Sequence, residues 1–241
     1  MHELSLARPA CGACPIRHRA VCSRCDEAEI ARLDAVKSYR SYAAGQTIVM
    51  EGAPLDVAAS VVSGCATLTR SLEDGRTQMV GLLMPSDFIG RPGRRIAPYE
   101  VTAATDVTLC TFRRAPFEAM MAEVPHLGER LLEMTLDELD AAREWMLLLG
   151  RKTARERVAS LLLIVLRRAG TGPGPRRAQL PLTREAMASY LGLTIETVSR
   201  QMTALRREGL IALEGPRGIL APDLGALAAE AGEDADGAVL G

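Results

Sequence analysis

Six cysteines stand among the 241 residues of this chain, and four of them, Cys11, Cys14, Cys22 and Cys25, fall together as Cys-x2-Cys-x7-Cys-x2-Cys. Thiolates at such spacing are soft ligands that suit an iron–sulfur cluster and zinc alike. Cys110 adds a thiol inside an expected strand, while Cys65, between Gly64 and Ala66, reads as a small buried hydrophobe in another. Two local Cys-x2-Cys pairs could close a tetrahedral zinc site by themselves, whereas a site that includes Cys110 would fasten residues 11–25 to a distant strand. Spacing leaves both open. Thiol–disulfide exchange is a third chemistry, but its Cys-x2-Cys motif sits at a helix N-terminus in an α/β redox fold, and no βαβ pattern surrounds residues 11–25. The sequence holds no Ser-His-Asp arrangement and no phosphate loop, and its three histidines are His2, His18 and His126, so an enzyme is not expected. His18, inside the cysteine loop, reads as solvated or as a neighbour of the ligands.

A second set of side chains suits base recognition. Thr194 is placed as the N-cap of a helix on which Glu196, Ser199, Arg200 and Thr203 share one face, with Val198, Met202 and Leu205 on the other. Arginine can donate a bidentate pair to guanine, and glutamate can accept from the cytosine amino group. Arg200 and Glu196 are therefore the expected readers of sequence, Ser199 a base or phosphate contact. Before this helix, Arg184 to Leu191 reads as another, joined by a turn at Gly192. After it, Leu210–Ala212 and Ile219–Ala221 bracket Gly215-Pro216-Arg217-Gly218, a hairpin that would carry Arg217 to the phosphate backbone.

The remaining elements must position these two sets. A hydrophobic content of 48% over this length allows one large or two modest domains, each with its own core. Formal net charge is −1, but residues 151–220 carry 13 Lys and Arg against 5 Asp and Glu, and residues 221–241 carry 5 acids and no base. A basic module followed by an acidic tail is the footprint expected of a nucleic-acid domain with a solvated end. No apolar segment of signal-peptide type opens the sequence, and its longest mainly apolar run, Val158 to Leu166, is too short to cross a bilayer. A cytoplasmic protein without membrane contact is expected, a setting in which structural disulfides are rare.

Asp26 is placed to cap a short helix with Ile30 and Leu33 on one face. Short β-rich runs follow at Gln46–Met50, Ala58–Val62, Cys65–Ser71, Gln78–Leu83, Tyr99–Ala104 and Thr108–Arg113, the spacing of a sandwich or small barrel. Asp74-Gly75 signals a hairpin with a type I′ turn. Helical periodicity takes over from about Val124 to Leu149, where Leu132, Thr135, Leu139, Ala142, Met146 and Leu149 alternate in steps of three and four, as in the seam of two paired helices. Asp137, Asp140 and Glu144 beside it would oppose pairing by like charge. A loop is expected at Thr171–Pro175.

The segment Leu191-Gly-Leu-Thr-Ile-Glu-Thr-Val-Ser-Arg200, behind a glycine-punctuated β region and a seam helix, resembles the Crp/Fnr family of bacterial regulators, and the run Cys14-Pro-Ile-Arg-His-Arg-Ala-Val-Cys22 looks like the alphaproteobacterial subgroup of its oxygen-responsive Fnr branch. The resemblance implies an α+β fold: a cysteine-rich segment (1–27), a cyclic-nucleotide-binding-like β-roll, or double-stranded β-helix (28–123), a dimerisation helix (124–150), a winged helix-turn-helix (151–222) and an acidic tail (223–241). It implies a [4Fe-4S] cluster on Cys11, Cys14, Cys22 and Cys110, zinc being the alternative. Because the commoner Fnr spacing is x2 then x5, Cys25 is an alternative third ligand. It further implies a homodimer on double-stranded DNA at a palindromic operator similar to TTGAT-N4-ATCAA, touched by Thr194, Glu196, Thr197, Ser199, Arg200, Thr203 and Arg217, with RNA polymerase as partner. Relatives that bind cyclic nucleotides do so with a Gly–Glu turn and a following arginine. Here Gly90-Arg91-Pro92 and Glu100 stand at those places, which argues against a cyclic phosphate, although Arg91, Arg94 and Arg95 leave a small ligand in the roll as an alternative.

Overall fold

The computed structural model describes residues 10–170 and 174–233, so His2, part of the expected 171–175 loop and residues 234–241 of the expected acidic tail lie outside the described residues. The chain divides into two units, 1–135 and 136–241, and the boundary falls inside a helix.

In the first unit, Asp26 caps α1 (Glu27–Val36) reciprocally: its side chain accepts from the Glu29 N–H at 2.8 Å, and Glu29 accepts from the Asp26 N–H at 2.9 Å. Strand β1 (Lys37–Tyr42) follows without a turn. Seven more strands complete the β region: β2 (Thr47–Val49), β3 (Val57–Ser63), β4 (Ala66–Ser71), β5 (Thr77–Leu83), β6 (Phe88–Ile89), β7 (Glu100–Ala103) and β8 (Val107–Arg113). They form two antiparallel sheets, in the orders β1-β8-β3-β6 and β2-β7-β4-β5. Val61, Leu83, Ile89, Val101, Val107 and Leu109, drawn from both sheets, fill one core between them, which makes the region the expected β-roll.

Successive side chains on a strand point to opposite faces. On β8 this sends Val107 and Leu109 into the roll and Cys110 and Phe112 to its outer face. A second core forms there from α1, from α2 (Arg114–Glu123) and from the first turns of α3 (Pro125–Arg151), with Leu33, Phe117, Val124 and Leu127 at most 1% exposed. Full burial of such a side chain contributes about 1.5–3 kcal/mol. The position of Cys110 on this outer face is thus a matter of strand parity.

The structure corrects several local expectations. The β4–β5 hairpin forms, but only Gly75 of the Asp74-Gly75 pair has positive φ, and Gly75 N–H donates to Leu72 O at 3.0 Å. That is a three-residue loop ending in a left-handed glycine rather than a type I′ turn. Cys65 lies half-buried in the turn between β3 and β4, not in a strand, because Gly64 (φ +78°) turns the chain so tightly that a Cβ there would lie 2.0 Å from Asp106 O. Strands β1 and β6 were not expected: the first is largely polar, and the second is two residues long.

In the second unit the expected apolar run becomes α4 (Ala154–Arg168), whose Val158, Leu161, Leu162, Leu163 and Leu166 are buried at its centre. Around it lie β9 (Arg176–Gln179), α5 (Arg184–Leu191), α6 (Ile195–Arg207), β10 (Ala212–Glu214), β11 (Gly218–Ala221) and α7 (Leu224–Glu230). Strand β9 extends the expected hairpin to a three-stranded sheet, β10-β11-β9. Trp145, late in α3, stacks on Tyr190 of α5 with ring centroids 4.1 Å apart. The Arg157 guanidinium donates to three carbonyls, Leu149 at 2.7 Å, Leu191 at 3.0 Å and Lys152 at 3.0 Å, and so joins the ends of α3 and α5 to the start of α4.

Candidate metal centre and nucleic-acid interface

Cys110 sits in a row of paired residues across the outer face of the roll: Tyr39 opposes it on β1, Ser60 on β3, and Phe88 lies beyond Ser60 on β6. Burial pushes the Cys110 thiol up to about 12; neighbouring Cys11, Cys14 and Cys22 add to the rise, and Lys37 opposes it. Those are the three N-terminal cysteines of the implied ligand set. Cys25 is also buried, and its thiol is likewise pushed up to about 12, by burial and then by Glu29, Cys22 and Asp26. Cys110 thus has Cys11, Cys14 and Cys22 within electrostatic reach, and Cys25, in the same buried core as Cys11 and Cys110, also lies beside the acidic start of α1. Cys65 belongs to a turn whose backbone is held by Thr105.

Cys11 is held by α1 and β1. It opens a single tight turn (Cys11–Ala13), its N–H donates to Asp34 Oδ1 at 2.9 Å, and Lys37 Nζ donates to its Sγ at 3.3 Å. Burial and the Asp34 contact push the Cys11 thiol up to about 11, against the pull of Lys37. The Lys37 ammonium in turn, with the Cys11 contacts, holds the Asp34 carboxyl down at about 2. Cys14 and Cys22 are half-buried, and burial, then Cys14, raises the Cys22 thiol. His18 is exposed. Among the described residues, no three His, Cys, Asp or Glu side chains are gathered closely enough to grip one metal ion. Metal ligation requires thiolates, so the raised thiols describe a site that a positively charged metal core would have to deprotonate.

The cysteine loop lies directly on the first turns of α3, a contact that sequence reasoning missed. Val21 and Cys25 share the outer core with Val124 and Leu127, and Leu131 and Met134 pack against it. Arg130 Nη2 donates to Arg19 O at 2.9 Å, Arg24 pairs with Glu133, and His126 Nδ1 lies 2.9 Å from Glu29. Surface pairs of this kind contribute little stability one by one. What they do here is fix which helix the loop touches.

In the pair α5 and α6, Thr194 caps α6 by accepting from the Thr197 N–H at 3.2 Å, and Gly192 ends α5 in the left-handed conformation (φ 62°). Val198, Met202 and Leu205 are buried, while Glu196, Ser199, Arg200 and Thr203 are exposed. Thr197 is half-buried, and its Oγ1 accepts from Arg200 at 3.4 Å. Arg217 is half-buried and donates to Pro181 O at 3.5 Å, so the arginine of the wing lies back against the chain leading into α5.

Of the seam residues on α3, Leu132, Thr135, Leu139, Ala142 and Met146 are exposed, whereas Leu149 is half-buried and its Cδ2 would lie 3.9 Å from a Cβ on Gly192. Leu136, which the seam pattern left out, is 51% exposed beside Leu132 and Leu139. Asp140 pairs with Arg143 at 2.9 Å, which offsets part of the negative charge next to the stripe. An open cleft of about 850 Å³ on the first unit is lined by Glu51, Arg70, Arg91, Arg94 and Arg95, with Glu51 paired to Arg70 at 2.7 Å. Among the described residues, no helix is long and apolar enough to cross a membrane.

Comparison with known proteins matches residues 39–124 to the cyclic nucleotide-binding domain and residues 156–230 to the Crp-like helix-turn-helix domain. The chain is 62% identical to the transcriptional activator protein FnrL of Cereibacter sphaeroides, an alignment covering 98% of each. It is 39% identical to the nitrogen fixation regulation protein FixK of Bradyrhizobium diazoefficiens, over 84% of this chain and 86% of that one. Among solved structures, FixK2 from Bradyrhizobium japonicum superposes with a TM-score of 0.73 at 33% identity, covering 80% of this chain and 96% of its own.

Proposed function

Because this chain belongs to the Crp/Fnr family of DNA-binding transcription regulators, we propose that it is a cytoplasmic oxygen sensor that controls transcription from its own cysteines rather than an enzyme. The observation that carries this reading is that the buried core around Cys110 of β8 also takes in Cys11, with Cys22 packed against it, although these residues are 85 or more positions away in the sequence. Thiols brought from two distant segments to one apolar, lysine-flanked face have the donor chemistry that a [4Fe-4S] cluster takes, with Cys14 as the fourth donor from the same loop. A local zinc knot would instead call on Cys25, which shares the core with Cys11 and Cys110 but has the Glu29 carboxylate beside it. When bound, such a cluster supplies an oxygen-labile cross-link between thiolates.

The chain's own residues do the rest. Cys110 anchors the loop to the roll, and the loop in turn presents the Arg19 carbonyl and Arg24 to Arg130 and Glu133 on α3. A cluster held by Cys110 and the loop cysteines would add a tie between loop and sheet, and without it the loop would keep only its own contacts with α1 and α3. The exposed stripe Leu132, Leu136, Leu139 and Met146 pairs with that of a second copy, and the pairing sets two α6 helices in successive major grooves about 34 Å apart. A shift from mostly off to mostly on requires a difference of roughly 5.5 kcal/mol between the two states. The operator is an inverted repeat similar to TTGAT-N4-ATCAA, and the bound dimer engages RNA polymerase. Glu196, Ser199 and Arg200 read bases, Thr194, Thr197 and Thr203 support them, and Arg217 approaches phosphate by leaving Pro181.

The test is purification without oxygen, assay of iron, sulfide and zinc, then admission of air while visible absorbance and operator binding are followed. Iron and sulfide in near-equal amounts, with binding lost in air, is the expected outcome. Stoichiometric zinc, no sulfide and air-indifferent binding would overturn it.

A further inference from the structure

Ser60 poses a problem that the fold alone does not answer. It is 2% exposed, and its Oγ has no hydrogen-bond partner among the described residues. A buried hydroxyl without a partner is costly, and alanine would fill the same space at no such cost. Its strand position explains where the group points. Ser60 is in register with Cys110, and paired residues on neighbouring strands share a face with Cβ atoms about 4.5–5.5 Å apart. On its other side lies Phe88, whose ring is 5.7 Å from that of Phe117 and offers no acceptor. Of its two cross-strand partners, only Cys110 has a group that could accept from the hydroxyl.

We propose that the Ser60 hydroxyl donates a hydrogen bond to Cys110 Sγ, or to a sulfide next to it, once the thiolates hold their cluster, and that this bond raises the cluster's reduction potential. The inference rests on the cluster reading above. A thiol proton competes with any donor aimed at its sulfur; a metal-bound thiolate has lost that proton and carries negative charge, so it accepts more strongly. Hydrogen bonds to cluster sulfurs favour the more negative oxidation state, which is the direction of resistance to oxidation. Ser60 is a positioning residue in this scheme: it touches the ligand, not the reacting oxygen.

The experiment compares anaerobically purified wild type, Ser60→Ala and Ser60→Thr. Iron and sulfide are assayed first, then the iron–thiolate Raman bands in H2O and D2O, then the reduction potential. Wild type should carry iron and sulfide and show a band that shifts in D2O. Ser60→Ala should keep its iron and sulfide, lose that shift and titrate at a lower potential, and Ser60→Thr should restore both readings. The metal-free Ser60→Ala protein should melt no lower than wild type, since it loses only an unpaired hydroxyl. A Ser60→Ala protein with wild-type bands and potential would overturn the proposal while leaving the cluster in place. Wild type with zinc and no sulfide would overturn the cluster reading, and this proposal with it.

Discussion

Cys22 and Cys25 stand three positions apart and both lie at the core that holds Cys110, but they differ in charge environment: Cys22 is among the thiols that raise Cys110, and Cys25 is flanked by Glu29 and Asp26. We therefore expect Cys22→Ser to lose iron and sulfide in an anaerobic preparation and Cys25→Ser to retain both; the reverse result would reassign the third ligand. Arg200→Ala should cost about 1–3 kcal/mol at the operator and relax preference at its guanine, read by competition among operator variants. Uniform weakening on all DNA would make Arg200 a phosphate contact. At this scale the sequence displayed the types of residue but not their company. Spacing could not separate Cys22 from Cys25, because both lie in turns with no periodicity to assign them a face. Nothing local marked Ser60, whose meaning depends on register with a strand some fifty residues away in sequence. The exposed face of α6 was legible in full, because helical spacing alone sorts Glu196, Ser199, Arg200 and Thr203 from Val198, Met202 and Leu205.

Caps were legible because their chemistry is local, and Asp26 and Thr194 each accept from the first turn of the helix they open. Thr194→Ala should destabilise the second unit by about 1 kcal/mol, measured by denaturant unfolding, and weaken DNA binding with it. Strand β1 was missed because its residues, Lys37-Ser-Tyr-Arg-Ser-Tyr42, are largely polar and follow a helix with no turn signal between. The stripe on α3 was read nearly in place; Leu136 was left out since only burial shows which way the helix is rolled. Leu139→Glu should weaken self-association about a hundredfold or more, seen in sedimentation, because pairing would bury two unmatched charges. His126 gives the contact between α1 and α3 a pH dependence. A hydrogen bond to Glu29 holds His126 above its ordinary 6.5, so the stabilisation is fully present below that value and fades as pH rises through the higher, folded-state value. Melting of the first unit should accordingly fall as pH rises above about 6.5, and His126→Gln should remove that slope.

For the molecule as a whole, the two matched domains and the helix between them were legible as changes of pattern, from short alternating runs to a three-and-four repeat to a basic helical module. The place where the chain divides was not legible, because Thr135 and Leu136 lie within one unbroken helix and differ only in what that helix packs on. If the active form is a paired regulator, inserting about five base pairs between operator half-sites, half a turn of DNA, should abolish high-affinity binding. Undiminished binding would mean that each copy reads its half-site alone. The three carbonyls held by Arg157 bear on protein engineering. They make the peptide after α3 look like a natural splice point when it is not: exchanging the DNA-reading module downstream of Thr153 for a foreign one would strip Leu149 and Lys152 of their donor. A lysine brought in at that position could not replace it, since one ammonium cannot span what a planar fork spans. Chimaeras intended to couple this sensor to a new operator should be joined upstream of Trp145, so that helix end, rivet and reader travel as one cassette.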